Sequence, residues 1–313
     1  MSADSVRHAR VRALAKINLD LRVLGKRSDG YHELRTIFQT ISLADTLDVA
    51  FTPARKTTIA LDDSLGIADN LVTRAARLAL EAMRVTGRVE MRLVKRIPMG
   101  AGLGGGSSDA AAVLLALPVL AGRKLNLPKL CSLGQELGSD VPFFLLGGAA
   151  VGIGRGGELF PLPDVPSLPG LVVAPDFHVN TAQAYRELSP RLTTESQQNK
   201  IDSFQTQTWA PGCAAAGNDF EAVVFQQHPA LGVLKKRLVR AGASAAMMTG
   251  SGSALFGLFR TREEASRAVK SLGKVKTFPI SMVSRARYRS MWRRALEQHI
   301  TGRLWPPQSR YVR

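Results

Sequence analysis

The stretch PMGAGLGGGSSDAA, beginning at Pro98, sets five glycines, two serines and an aspartate between two segments of different periodicity. Before it, GRVEMRLVKRIP alternates apolar and polar residues, the pattern of a strand. After it, SSDAAAVLLAL is a nearly unbroken run of small and apolar residues that reads as a helix. Gly102, Gly104, Gly105 and Gly106 allow backbone conformations closed to other residues, and let the chain approach a ligand closely. The helix, expected from about Ser107, aims its unpaired N–H groups and positive dipole end into that loop. Strand, glycine loop and helix in this order make a phosphate cradle. Ser107 and Ser108 add hydroxyl donors that could share a Mg2+ shell.

Two familiar glycine loops do not fit. Gly100-x-Gly102-x-x-Gly105 satisfies the dinucleotide fingerprint, but Pro98 separates strand from glycine, and the next acid after Asp109 is Glu136. No carboxylate therefore stands where a ribose hydroxyl needs one. A G-x-x-x-x-G-K-[ST] loop is absent, and the triplet closest to a protein-kinase D-F-G is Asp219-Phe220-Glu221.

The 313 residues, 45% hydrophobic, are enough for two domains. PLPDVPSLPG (Pro161–Gly170) reads as the linker, dividing the chain into 1–165, 166–284 and a basic extension, 285–313. Strands and helices interleave without regular βαβ repetition, so both halves read as α+β. No apolar run is long enough for a bilayer, and the first residues lack a secretory h-region. Cys131 and Cys213 are isolated, without metal-ligand spacing. A cytoplasmic protein is expected, with no protein-held metal cluster and no membrane partner.

The net charge of +17 raises nucleic acid as a partner. From Arg285 on, however, eight arginines face one glutamate, Glu297, so much of the excess sits in the tail. That tail is read as a solvated extension, and the remaining charge suits polyanionic small substrates.

In ALAKINLDLRVLG, Ala13, Ala15, Ile17, Leu19, Leu21 and Val23 face one way, and Lys16, Asn18, Asp20 and Arg22 the other. DNLVTRAARLALEAM reads as a helix capped by Asp69 or Asn70, and LPKLCSLGQELG as another that ends at Gly138. Asp140 follows as a cap before VPFF. Taken singly, Lys16 is an exposed strand lysine, Asp140 a helix cap, and Tyr31 and His32 surface residues.

The glycine stretch resembles the central motif of the GHMP kinases, the superfamily of galactokinase and the homoserine, mevalonate and phosphomevalonate kinases. AKINLDLRVLGKRSDGYHELRTIFQTISLADTL, DNLVTRAA, LGSDVPFFLLGGAAVGIGRGGEL and TGSGSALFGLF are similar to the branch acting on a cytidine-diphosphate-linked methylerythritol. The likeness runs from about Ala13 to Val283. It implies an N-terminal domain like the second domain of ribosomal protein S5, a ferredoxin-like C-terminal domain, and a cleft between them. It implies ATP and Mg2+ as cofactors, and γ-phosphoryl transfer to the acceptor's 2-hydroxyl. It assigns Asp140 as base, Lys16 as its cationic partner and Asn18 to the same hydroxyl. Cytidine falls to Tyr31, His32 and Tyr185. ATP falls to Asn70, Leu71, Lys95, Pro98, Met99, Gly100, Ala101, Gly102, Leu103, Gly104, Gly105, Gly106, Ser107 and Ser108. Thr249–Ser253 is then the turn supporting the loop. Homodimer formation stays open. Two other readings remain: a different GHMP small-molecule kinase, and a nucleic-acid-binding protein on the same scaffold.

Overall fold

The computed structural model of the protein describes residues 5–63, 66, 69–192, 217–301 and 307. Cys213 and most of the polar stretch Ser189–Trp209 lie outside them.

Two long strands organise the N-terminal half. β1 (Arg7–Lys26) and β2 (His32–Pro53) pair antiparallel around the turn that carries Tyr31. In that turn Asp29 accepts the Tyr31 N–H at 3.1 Å, and Gly30 sits at φ 84. TIFQTISL and DTLDVAF are thus one continuous strand. Its second edge is shared: β4 (Gly87–Val94) pairs with Thr46–Pro53, and β5 (Ala149–Gly154) with Leu34–Gln39. β3 (Thr58–Asp63) runs parallel to β4, and β6 (Glu158–Pro161) closes the far side of β5.

Four helices share one core with this sheet: α1 (Leu71–Met83), α2 (Gly105–Leu120), α3 (Leu127–Leu137) and α4 (Val141–Leu146). α2 is buried from Ser108 to Leu120, which explains why its sequence shows no apolar stripe.

The second half comprises β7 (Pro169–Ala174), α5 (Thr181–Leu188), α6 (Glu221–Gln227), α7 (Pro229–Arg240), β8 (Ala245–Met248), β9 (Leu255–Leu258), α8 (Arg262–Ser271) and β10 (Lys276–Ser281). α8 begins with a capping box between Thr261 and Glu264. The antiparallel strand order β10-β7-β9-β8 is that of a ferredoxin-like fold. Leu171, Leu255 and Phe259 pack with these helices, whereas Val172, Phe256 and Ile280 share a core with Ile17, Leu19, Ile37 and Ile41 of the first sheet. The first sheet therefore has apolar cover on both faces, helices on one and the second sheet on the other.

Two expectations are corrected. The polar side of β1 does not face water: Lys16, Asn18 and Asp20 are all buried. The basic tail is not solvated throughout. Ser284 caps α9 (Arg285–Leu296), which buries Tyr288, Trp292 and Leu296 in the N-terminal core and leaves Arg287, Arg289, Arg293 and Arg294 outside. The Tyr288 hydroxyl donates to the Phe144 carbonyl. The i, i+4, i+8 spacing of these three apolar residues was the signal for an amphipathic helix.

Backbone bonds also stitch the halves together. The Leu21 N–H donates to the Gly217 carbonyl at 2.8 Å, and the Asp219 N–H to the Leu21 carbonyl at 3.0 Å. Asp20, fully buried at this seam, lies 3.0 Å from Arg22. Burial outweighs that partner and raises the Asp20 carboxyl to about 6. A carboxyl higher in the folded state than in the unfolded chain holds its proton longer when folded, so its contribution to stability falls as pH rises from about 4 to 6. Asp20→Asn is expected to flatten that part of the stability–pH curve, by up to about 3 kcal/mol across the window. Urea midpoints at pH 4, 5, 6 and 7 check this, and an unchanged slope contradicts it.

Candidate active site

The glycine loop forms one wall of a cavity of about 390 Å3, lined also by Asn70, Leu71, Leu93, Lys95, Ile97, Ser107 and Asp109. Asn70, not Asp69, caps α1, accepting the Val72 N–H at 3.0 Å. α2 begins at Gly105, two residues earlier than expected, with Gly104 as its cap at φ 71. The amides of Gly105, Gly106 and Ser107 precede the first intrahelical bond, so the cradle's donors are these three N–H groups.

Ser108 departs from the expectation that it contacts nucleotide. Its hydroxyl donates to the Leu14 carbonyl at 2.7 Å, and its N–H to the Gly104 carbonyl at 2.9 Å. It ties α2 to β1 behind the cradle. Lys95 lines the cavity with its ammonium committed: it pairs with Asp45 and, at 2.7 Å, with Asp109. Burial raises the Asp109 carboxyl, with Lys95 opposing. Asp45 and Asp109 escaped the sequence reading, because their approach depends on residues 50 and 14 positions from Lys95.

Gly102, at φ 77, is where the loop meets the Thr249–Ser253 turn. A Cβ there would come within 2.1 Å of the Thr249 carbonyl oxygen. Gly102 and Gly104 also line a second, larger cleft of about 890 Å3, so the loop borders both cavities.

In that cleft, β1 presents Lys16, and the turn after α3 presents Asp140. Lys16 Nζ lies 3.7 Å from Asp140 Oδ2, with side-chain exposures of 4% and 30%. The Asp140 side chain makes no cap hydrogen bond, so its carboxylate is not spent on starting α4. Burial pulls Lys16 below the ordinary lysine value, and Asp140 works against that pull. The Lys16 ammonium donates to Asn18 Oδ1 at 2.7 Å, and the Gly250 N–H donates to the same oxygen at 2.9 Å. Asn18 Nδ2 donates to Thr36 Oγ1 at 2.7 Å. Asn18, expected at the acceptor hydroxyl, lines this cleft with its oxygen bonded to Lys16 and Gly250.

Further along the cleft, His32 stacks on Tyr185 with centroids 4.5 Å apart, and Phe220 braces Tyr185 edge-on at 4.8 Å. The His32 ring nitrogen meets Ser189 Oγ at 2.7 Å; burial and the nearby Lys26 lower its pKa, favouring neutral imidazole. Tyr31 is half exposed, with the Arg155 guanidinium 3.5 Å above its ring. The structure thus brings Tyr185 and His32 together, while Tyr31 stacks with Arg155 instead. Arg155 and Phe220 were missed, since neither the short GRGG run nor an isolated phenylalanine marks a ring partner.

A buried lysine paired with a partly exposed aspartate beside a glycine-loop phosphate cradle, on an S5-like half joined to a ferredoxin-like half, defines a small-molecule kinase of the GHMP class. The GHMP kinases N terminal domain matches residues 70–148, and the GHMP kinases C terminal domain matches residues 201–276. The chain is 72% identical over 98% of its length to the 4-diphosphocytidyl-2-C-methyl-D-erythritol kinase of Solibacter usitatus, covering 99% of that protein. It is 40% identical to the one from Geobacter metallireducens over 84% of this chain and 93% of that protein. A crystal structure of 4-(cytidine 5'-diphospho)-2C-methyl-D-erythritol kinase superposes with TM-score 0.72 at 37% identity, covering 87% of this chain and 98% of that one. The chain belongs to the 4-diphosphocytidyl-2-C-methyl-D-erythritol kinase family. Homoserine kinase from Cytophaga hutchinsonii, at 18% identity and TM-score 0.69, shares the fold; it covers 88% of this chain and 95% of its own. Among the described residues no helix is long and apolar enough to cross a membrane, and no group of three or more His, Cys, Asp or Glu is placed to hold a metal ion.

Proposed function

We infer that the protein transfers the γ-phosphoryl group of ATP to the 2-hydroxyl of 4-diphosphocytidyl-2-C-methyl-D-erythritol, a step of the non-mevalonate route to isoprenoid precursors. The observation that carries this is the Lys16–Asp140 pair at 3.7 Å, in a cleft whose wall shares Gly102 and Gly104 with the glycine-loop cavity. ATP fits the smaller cavity, with its phosphates on the amides of Gly105, Gly106 and Ser107. Asp140 takes the proton of the acceptor hydroxyl as its oxygen bonds to the γ-phosphorus, and the bond to the departing ADP breaks. Lys16 orients Asp140 and offsets charge gathering on the transferring group. Mg2+ fits the same end of α2. Asp109 Oδ1 is buried with no hydrogen-bond partner, and Ser107 offers a hydroxyl at the cavity wall. Those two residues would hold the ion, which supplies charge neutralisation for the phosphates.

The cytosine end is read by Tyr31, His32 and Tyr185. A base enters this wall by parting Arg155 from Tyr31 or His32 from Tyr185, and gains a stacking face either way. Tyr185→Ala is therefore expected to raise KM for the cytidine acceptor by about tenfold or more while leaving KM for ATP within about twofold. Equal rises in both constants, or no rise in the acceptor's, contradict the assignment.

A further inference from the structure

The triplet Asp219-Phe220-Glu221 failed as a protein-kinase motif, yet with Asn218 it forms the segment of the C-terminal half most densely bonded to the site. Asn218 is 6% exposed. Its Nδ2 donates to two carbonyls of the glycine-turn hairpin, Met248 O at 2.8 Å and Gly250 O at 2.7 Å. Its Oδ1 accepts the Phe220 N–H at 3.0 Å. Asp219 Oδ2 accepts the Val23 N–H at 2.9 Å, which fixes the segment to β1. Glu221 accepts the Met248 N–H at 2.8 Å and pairs with Lys235 at 2.5 Å. Phe220 braces Tyr185. The end of β8 is thus held on both its N–H and its C=O by residues three apart.

What this grip positions is the peptide of Gly250. The Gly250 N–H donates to Asn18 Oδ1, and Asn18 Oδ1 accepts from Lys16. Thr249 adds a second tie: its hydroxyl accepts the Asn18 N–H at 3.2 Å and lies 3.2 Å from the Gly102 carbonyl oxygen. The same hydroxyl lies 3.2 Å from Asn18 Oδ1, so its one proton serves either that oxygen or the Gly102 carbonyl. A continuous set of buried hydrogen bonds therefore runs from Asn218 through Gly250 and Asn18 to Lys16, and branches at Thr249 to the glycine loop. Buried networks of this kind hold a side chain in one orientation, because a member left unpaired has lost its water and gained no partner.

We propose that Asn218 is a positioning residue for phosphoryl transfer: its side-chain amide holds the Met248–Gly250 turn where the Gly250 N–H keeps Asn18 against Lys16. The proposal rests on the reading of Lys16 and Asp140 given above. Asn218 touches neither nucleotide nor acceptor in this scheme, and acts on the rate of transfer rather than on binding. Misplacing a reacting group by a fraction of an ångström is enough to slow transfer by one to two orders of magnitude.

The test is steady-state kinetics of the full chain on ATP and diphosphocytidyl-methylerythritol, comparing Asn218→Ala and Lys16→Ala with the unaltered protein and recording each thermal midpoint. Asn218→Ala is expected to lower kcat by about 30-fold while both KM values stay within about threefold. A lowered midpoint with unchanged kcat overturns the proposal, as does a fall in kcat matched by rising KM values. If Asn218→Ala does not fold, Asn218→Ser is judged by the same split. An inactive Lys16→Ala beside an unaffected Asn218 variant overturns the positioning role alone. A Lys16→Ala variant with near-normal kcat overturns the reading of the site, and the proposal with it.

Discussion

Asp140→Asn is expected to lower kcat by about a thousandfold with ATP affinity unchanged. The carboxylate makes no cap bond, lies 3.7 Å from Lys16, and is absent from the wall of the nucleotide cavity. An amide of the same shape fills the same space but cannot accept the proton of the acceptor hydroxyl, and removal of a positioned base costs about 10^2 to 10^4 in rate. The loss extends to the lysine. Lys16 is buried, and Asp140 is what holds its pKa up against burial. Without that carboxylate the ammonium loses its proton at lower pH, which adds to the loss of the base. Rate measurement and nucleotide titration on one preparation check this. A variant within tenfold of the normal kcat, or one that no longer binds ATP, contradicts the assignment.

Gly102→Ala is the second large effect, and it acts through the backbone. At φ 77 a side chain carries a penalty of about 1–2 kcal/mol. Here the new Cβ would also stand 2.1 Å from the Thr249 carbonyl oxygen, a main-chain atom that cannot rotate aside. The loop and the Thr249–Ser253 turn must separate. That shifts the cradle and breaks the Thr249 contact with Gly102. The expected outcome is a loss of about 3 kcal/mol in stability together with a rise of at least about tenfold in KM for ATP. Calorimetry and initial rates measure the two. Gly242→Ala is the control, because Gly242 also sits at positive φ, 94, but its added Cβ meets nothing within 4 Å. Equal effects at both positions would contradict the close-approach argument.

The sequence carried local features well wherever a short stretch contained its own reason. Asn70, one of the two caps expected, starts α1, and Gly102 and Gly104 take positive φ, whereas Gly105 and Gly106, expected to do likewise, are the first residues of α2. Features made by distant residues were not legible. The alternation of Lys16, Asn18 and Asp20 looks like a solvent-facing strand, because nothing nearby announces that a second domain and a cleft wall will cover it. Lys95 is assigned to ATP by the resemblance, and its partners Asp45 and Asp109 meet it only in the fold. Ser108 reads as a phosphate donor, whereas the turn of the helix sends its hydroxyl back to Leu14. The tail misled through its charge. Eight arginines conceal the three apolar residues that dock α9.

The central claim is the acceptor. ADP release with ATP and Mg2+ on diphosphocytidyl-methylerythritol, homoserine and mevalonate tests it most directly. The stacked His32–Tyr185 wall and the Tyr31–Arg155 pair predict turnover on the cytidine compound alone, abolished in Asp140→Asn. Turnover on homoserine or mevalonate at a comparable kcat/KM, or none on any acceptor by folded protein that binds ATP, would contradict it.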